Sequence, residues 1–247
     1  MEPFTSSHKS HEHSLYVLEL IKGYDSFLDS IETVCDMGCG AGLDALWWAT
    51  LETRDDPPES RNYRVFAVDR DTSKLDERVA STNNIVVLEK DFEEAVAPAK
   101  IDLLWSYDSF QYAMNPIRTL ATWNQQMNDN GMLVLSVPEY SGTIYNRIVN
   151  RSYSHCFFNY NIVGLVHMLA VSGFDCNDAY FYRSNGWIYA AVYKTRAPFD
   201  HRTTTLYDLA EEGVLNHSAK TSINTYGYLR QEDLIYPWLD KDFYQYR

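Results

Sequence analysis

Short aliphatic runs recur along the chain at intervals filled by helix-periodic or polar sequence. Thr33–Met37, Arg64–Val68, Ile85–Leu88 and Ile101–Trp105 each have the length and β-branched character of a buried strand, and Met132–Val137 makes a fifth. Between them the period changes. After the first run, Leu43, Leu46, Trp47, Thr50 and Leu51 share one largely apolar helical face, and Pro116 opens a helix through Ile117, Leu120 and Met127 that turns at Asn130-Gly131. Upstream, Leu15, Leu18, Ile21 and Leu28 predict an amphipathic helix over 14–31, which could cover whatever lies at the ends of the strands. Downstream, Ile162–Leu169 reads as a helix ended by Gly173, and Cys176–Tyr182 and Trp187–Tyr193 read as strands joined through Ser184-Asn185-Gly186, a hairpin signal.

Strand and helix in alternation imply a parallel sheet with helices on both faces. The predicted class is therefore α/β: a seven-stranded, mostly parallel, doubly wound sheet closed by a C-terminal antiparallel hairpin. The chain divides into an N-terminal polar segment and cap helix at 1–31, a main domain at 32–195 with an insertion at 140–161, and an extension at 196–247. Thr53 to Asn62, polar and carrying two prolines, reads as a surface excursion. The extension holds a helix around Leu206, Leu209 and Val214 and a tyrosine-rich end (Tyr226, Tyr228, Tyr236, Tyr244, Tyr246), and it packs back on the domain or on a second subunit, so a homodimer is one expectation.

Composition narrows the partners. A formal charge of −13 with no dense Lys/Arg cluster disfavours nucleic acid. The four cysteines include no C-x-x-C pair, two of them lie at the glycine loop, and reduced thiols in a cytoplasmic setting follow. Residues 1–13 lack the apolar core of a signal peptide and no later stretch has the length of a membrane span, so no membrane partner is expected. His8, His11 and His13 come without a Cys or carboxylate cluster at ligand spacing, and no metal is predicted.

The chemistry starts where the first strand breaks. Asp36-Met37-Gly38-Cys39-Gly40-Ala41-Gly42 is a glycine loop between a strand and a helix, where bare backbone admits a ligand and the helix amides face it; a tight strand-to-helix turn would use the same residues. A dinucleotide site wants G-x-G-x-x-G, and Leu43 occupies the position of its last glycine, which ranks NAD-dependent oxidoreduction last. The second strand ends on Asp69, where a carboxylate can take hydrogen bonds from both ribose hydroxyls or stand solvated. The loop Asp36, Gly38, Gly40, Gly42 resembles motif I, D-x-G-x-G-x-G, of the class I S-adenosylmethionine-dependent methyltransferases, and the resemblance spans about residues 32–195. It implies S-adenosyl-L-methionine as cofactor, with Gly38, Cys39, Gly40 and Gly42 along its methionine portion, Asp36 near the amino end, Asp69 and Arg70 at the ribose, Asp91 and Phe92 at the adenine, and the main chain of Trp105 and Ser106 facing the amino group. Asp91 could equally cap a helix.

The stretch after the fourth strand resembles the family's D-V-L-E-H, here Asp108, Ser109, Phe110, Gln111 and Tyr112. The family's histidine is replaced by Tyr112, and a phenol with an ordinary pKa of about 10 is a poor base at neutral pH. Tyr112 therefore orients an acceptor if it acts at all. His155, in the aromatic insertion with Tyr145, is the alternative base, or merely a solvated loop histidine. Tyr107, Gln111, Tyr112, Tyr145 and His155 form the candidate acceptor pocket. The resemblance implies methyl transfer to an oxygen or nitrogen of a small molecule, because Ser106-Tyr107-Asp108-Ser109 departs from the motif of amide- and base-methylating members. A non-catalytic protein that keeps the fold as a binding or scaffold module is the alternative.

Overall fold

Period-two alternation decides which strand residues meet which helices. In β1 (Thr33–Met37), Cys35 and Met37 face one side of the sheet, and Val34 and Asp36 face the other. The computed structural model describes residues 11, 14–15, 17–18, 25–53, 55, 57–94, 98, 100–139, 158, 160–184 and 186–234. Six further strands are β2 (Arg64–Asp69), β3 (Ile85–Glu89), β4 (Ile101–Ser106), β5 (Met127–Pro138), β6 (Tyr180–Ser184) and β7 (Trp187–Tyr193). They form one sheet in the order β3-β2-β1-β4-β5-β7-β6. The first five pair in parallel, while β7 runs antiparallel to both β5 and β6. The predicted seven-stranded, doubly wound sheet with its terminal hairpin is the sheet observed.

Helices α1 (Asp25–Leu28), α2 (Leu43–Ala49), α3 (Glu77–Ser81), α4 (Pro116–Gln126), α5 (Ile162–Val171), α6 (Leu206–Glu211) and α7 (His217–Tyr226) cover it. Their starts are chemically marked. Asn115 caps α4 by accepting from the Arg118 N–H at 3.1 Å with Pro116 in the first turn, and Asn161 caps α5 through Gly164 at 2.8 Å. On one face, Cys35, Phe66, Leu104 and Leu133 pack with Leu120 and Trp123 of α4 and Leu165 and Leu169 of α5. On the other, Val34, Val65, Leu103 and Trp105 pack with Ala45 and Trp48 of α2 and with Leu18 and Leu28. The extension joins the first of these cores through Leu209, Val214, Leu215 and Ile223, and Cys176 N donates to Val214 O at 2.9 Å. Among the described residues no helix is long and apolar enough to cross a membrane.

Four details differ from the sequence pattern. In α2 the buried residues are Asp44, Ala45, Trp48 and Ala49, whereas Leu43, Leu46 and Trp47 are only partly covered and Thr50 is exposed. Two large aromatic faces, Trp48 against Trp105 at 5.7 Å and against Tyr63 at 6.3 Å, set that rotation in place of simple aliphatic periodicity. β5 begins at Met127, directly after α4, because Ile101 pairs with Met127 and Leu103 with Met132; the excess residues bulge, with Asn130 at φ 63°. β6 begins at Tyr180, since Cys176 is drawn into an isolated bridge with Leu215. The described residues between β3 and β4 form turns and contain no helix.

Gly173 ends α5 at φ +85°, and a Cβ there would lie 2.6 Å from the Arg196 carbonyl oxygen. Gly173→Ala adds backbone strain and a clash with main chain that has no rotamer to move, and should destabilise the domain by about 2–4 kcal/mol in urea unfolding. A loss below about 0.5 kcal/mol would show that the junction yields freely.

Candidate active site

The winding of the sheet reverses between β1 and β4, and in such folds ligands sit outside the carboxyl ends of the strands at that point. The glycine loop is there. Gly38 N and Cys39 N both donate to Val68 O, at 2.8 and 2.9 Å, so the loop bends over the end of β2. Gly38, Gly40 and Gly42 all have positive φ (79°, 56° and 74°), and Gly42 N closes a turn on Cys39 O at 2.8 Å before α2 begins. A side chain at Gly38 would overlap the Ser109 Cβ and approach Ser109 Oγ to 2.9 Å. At Gly42 it would run into Leu75 and Val79. The first and third glycines are therefore required by both conformation and space.

Ser109 fastens the two sides of the crevice. Its hydroxyl donates to Met37 O at 2.6 Å and pairs with Ser106 Oγ at 2.7 Å, both hydroxyls being buried. Phe92 comes in from the turn after β3, with its ring edge 3.7 Å from where a Gly38 Cβ would be. That turn is anchored: Trp123 Nε1 donates to Phe92 O at 2.7 Å, and the Glu93 carboxylate accepts from the N–H groups of Met114 and Asn115 at 2.9 and 3.2 Å. Asp91 is exposed and accepts from Glu93 N at 3.0 Å, a turn-capping geometry.

Three carboxylates surround the loop. Asp69 Oδ2 accepts from Gly40 N at 2.9 Å and Oδ1 from Asp71 N at 3.0 Å, which holds the loop against the end of β2. Asp44, in the first turn of α2, accepts from Trp105 Nε1 at 2.8 Å and Ser14 Oγ at 2.5 Å and pairs with His11 Nδ1. Asp36 is 3% exposed and takes a backbone hydrogen bond from Ala45, yet its Oδ2 has no hydrogen-bond partner among the described residues. Burial first, then the charges of Asp44 and Asp69, push the Asp36 carboxyl well above the ordinary range. Burial, with Asp36 and Asp69 adding, also raises the Cys39 thiol, which keeps it protonated and unreactive.

The remaining candidates fall as follows. Arg70 is exposed beside Asp69. Trp105 and Ser106 are fully buried at the end of β4, where Trp105 pairs with Asp36 of β1. Tyr107 is buried against Trp105 (centroids 5.9 Å apart, planes 13°) and Tyr189, and burial raises its phenol. Gln111 is buried and bonded to Asp108 at 2.5 Å, and Tyr112 is half-buried with its N–H on Ser109 O at 3.0 Å. Tyr145 and His155, with most of the 140–161 insertion, lie outside the described residues. The crevice thus brings together Asp36, the glycines, Asp69, Phe92, Trp105 and Ser106. Pattern reading missed Asp44, which lies outside the glycine motif, and gave no role to Ser109, which it placed in the stretch after the fourth strand; an acid in the first turn after a glycine loop was the available signal for Asp44.

The family model described as a methyltransferase domain matches residues 35–135, from β1 into β5. Solved structures with the same fold include a chain of the complex between the Haloferax volcanii Trm112 methyltransferase activator and a methyltransferase (15% identity, 77% of this chain and 97% of that one, TM-score 0.52). A second is the Burkholderia thailandensis 1,6-didemethyltoxoflavin-N1-methyltransferase with 1,6-didemethyltoxoflavin and S-adenosylhomocysteine bound (15%, 79% and 93%, 0.51). A third is the StiE O-MT segment 961–1257 (12%, 79% and 79%, 0.56). No curated protein sequence matches the chain significantly.

One consequence of the buried acid is measurable. Because the folded-state pKa of Asp36 is raised, its contribution to stability is complete below the ordinary carboxylate pKa and is lost as pH rises through the folded value. The stability advantage of Asp36→Asn over wild type should therefore grow with pH, by at most about 1.4 kcal/mol per unit. Urea unfolding of both proteins across the acid-to-neutral range tests this, and a constant difference would contradict the assigned shift. By motif, domain match and strand order together, residues 35–135 of this chain match a methyltransferase domain, set in the class I methyltransferase fold.

Proposed function

We propose that the protein is a methyltransferase that binds S-adenosyl-L-methionine in the β1/β4 crevice and methylates an oxygen or nitrogen of a small-molecule acceptor. The observation that carries this reading is the glycine loop at the switch point, held by the Asp69 carboxylate at the end of β2. The residues present fit the cofactor. Bare backbone at Gly38–Gly42 admits an extended ligand, the half-buried Phe92 ring offers a face for a flat base, and Asp69 keeps lone pairs for hydroxyl donors after accepting two backbone N–H groups. The Asp36 Oδ2, without a hydrogen-bond partner among the described residues, can take a donor, and a nearby cationic group would favour its charged form.

When bound, S-adenosylmethionine supplies a methyl carbon on a sulfonium, already activated for in-line displacement. The chain then has to align the acceptor and exclude water, for which proximity and orientation can supply up to roughly 7–11 kcal/mol. Ser109 serves that alignment by fixing the loop after β4 against the glycine loop, and Trp105 and Asp44 fix the wall beneath. Tyr112 and the insertion residues Tyr145 and His155 complete the acceptor side in this reading, and an obligatory base is not part of it. Solvated acidic surface and free thiols at Cys35, Cys39 and Cys176 accord with a cytoplasmic enzyme.

Calorimetric titration with S-adenosylhomocysteine, with NAD as control, tests the cofactor assignment. Asp69→Ala should weaken binding by at least about 30-fold, since it removes a charged hydrogen-bonding group and releases Gly40, while far-UV dichroism stays unchanged. Retained affinity in the variant would count against the site. Cofactor binding with no transfer to a broad acceptor panel would favour the scaffold alternative.

A further inference from the structure

Asp36 interrupts an apolar face. It lies on β1 between β2 and β4, in register with Ala67 on one side and Trp105 on the other, and it shares its side of the sheet with Val34. Packing alone would favour an aliphatic residue there. The carboxyl is instead 3% exposed, takes a backbone hydrogen bond from Ala45 at the start of α2, and leaves Oδ2 without a hydrogen-bond partner among the described residues. A buried charge is costly unless it is paired. What surrounds this one is further negative charge, from Asp44 in the first turn of α2 and Asp69 at the end of β2.

The groups facing Asp36 from each neighbouring element are otherwise satisfied or neutral. Burial first and Asp36 next raise the Cys35 and Cys39 thiols, so both stay protonated, and burial does the same for the Tyr107 phenol that follows β4. Asp44 accepts from Trp105 Nε1 at 2.8 Å and Ser14 Oγ at 2.5 Å and pairs with His11, while Asp69 accepts from the N–H groups of Gly40 and Asp71. A positive ligand at the glycine loop therefore acts chiefly on Asp36. It need not touch the carboxyl, because an opposite charge within roughly 4–6 Å favours the ionised form, and a buried setting screens that charge weakly. We propose that Asp36 carries a proton in the free protein at near-neutral pH and releases it to solvent when S-adenosylmethionine binds, so that the site recognises the cofactor's positive charge by exchanging a proton for it. The carboxyl O–H bond breaks, the buffer takes the proton, and the ligand's charge replaces it; no other group changes. The proposal rests on the S-adenosylmethionine reading of the crevice and deepens it, because Asp36 becomes the residue that selects a charged cofactor over a neutral adenosine derivative.

The test titrates full-length protein calorimetrically with S-adenosylmethionine at about pH 6 in two buffers of unequal ionisation enthalpy, the difference in heat giving the protons exchanged. An ordinary aspartate is already ionised there, so release of at least about half a proton per site reports a protonated one. Because the charged form binds, affinity should tighten as pH rises, by at most about tenfold per unit, and level off once Asp36 is ionised in the free protein. The neutral 5′-methylthioadenosine should bind without release. Asp36→Asn, nearly identical in shape, should abolish both the release and the pH dependence and weaken S-adenosylmethionine by about tenfold or more at about pH 8. His11→Gln removes the imidazole on Asp44 and should leave the release in place. Binding of S-adenosylmethionine to wild type without release, equal release with 5′-methylthioadenosine, or a release that persists in Asp36→Asn or vanishes in His11→Gln would overturn the proposal. Failure of wild type to bind S-adenosylmethionine at any pH would instead remove the methyltransferase reading beneath it.

Discussion

The site depends on how closely the loop after β1 can approach the loop after β4. Gly38 lies against Ser109 with no room for a Cβ, and the Ser109 hydroxyl reaches across to the carbonyl of Met37 at 2.6 Å. One glycine and one serine thus close the seam at the point where the sheet changes winding direction. Other parts of the crevice are referred to that seam. Phe92 reaches it from β3, and Asp108 and Gln111 sit beside it after β4. A larger residue at either position would separate the strand ends that a bound ligand must bridge.

Charge is the second organising constraint. Asp36, Asp44 and Asp69 are gathered around one loop, and burial first, then repulsion from the other two, raises the pKa of Asp36. Two of the three are compensated by donors. Asp69 takes the loop's own amides, and Asp44 takes Trp105, Ser14 and His11, which also draws the N-terminal helical residues onto the sheet. The third keeps a buried oxygen without a hydrogen-bond partner among the described residues, an uncommon condition that is costly unless something cationic or donating completes it.

Much of this was legible in the sequence, and for a consistent reason. Strand runs such as Val34–Met37 and Leu103–Trp105 are buried on both faces, so they appear as continuous apolar segments whatever their neighbours are. The three glycines and Asp69 are required by local backbone geometry at a strand end, which leaves a mark at fixed spacing. Features set by a single distant contact left no such mark. The buried face of α2 followed Trp48 packing on Trp105 and Tyr63, and the start of β6 followed the pull of Leu215 on Cys176.

By itself, then, the sequence determined the fold class, the order of the elements and the position of the glycine loop, because periodicity and turn chemistry are properties of neighbouring residues. Tertiary structure alone decided that Asp44 is buried beneath Trp105, that Ser109 closes on Gly38, and that the Asp108 N–H meets the Ser136 hydroxyl of β5. Each of those facts joins residues from different elements. Their chemistry exists only once the sheet has placed the elements side by side, where hydrogen bonds and steric limits act across space and not along the chain.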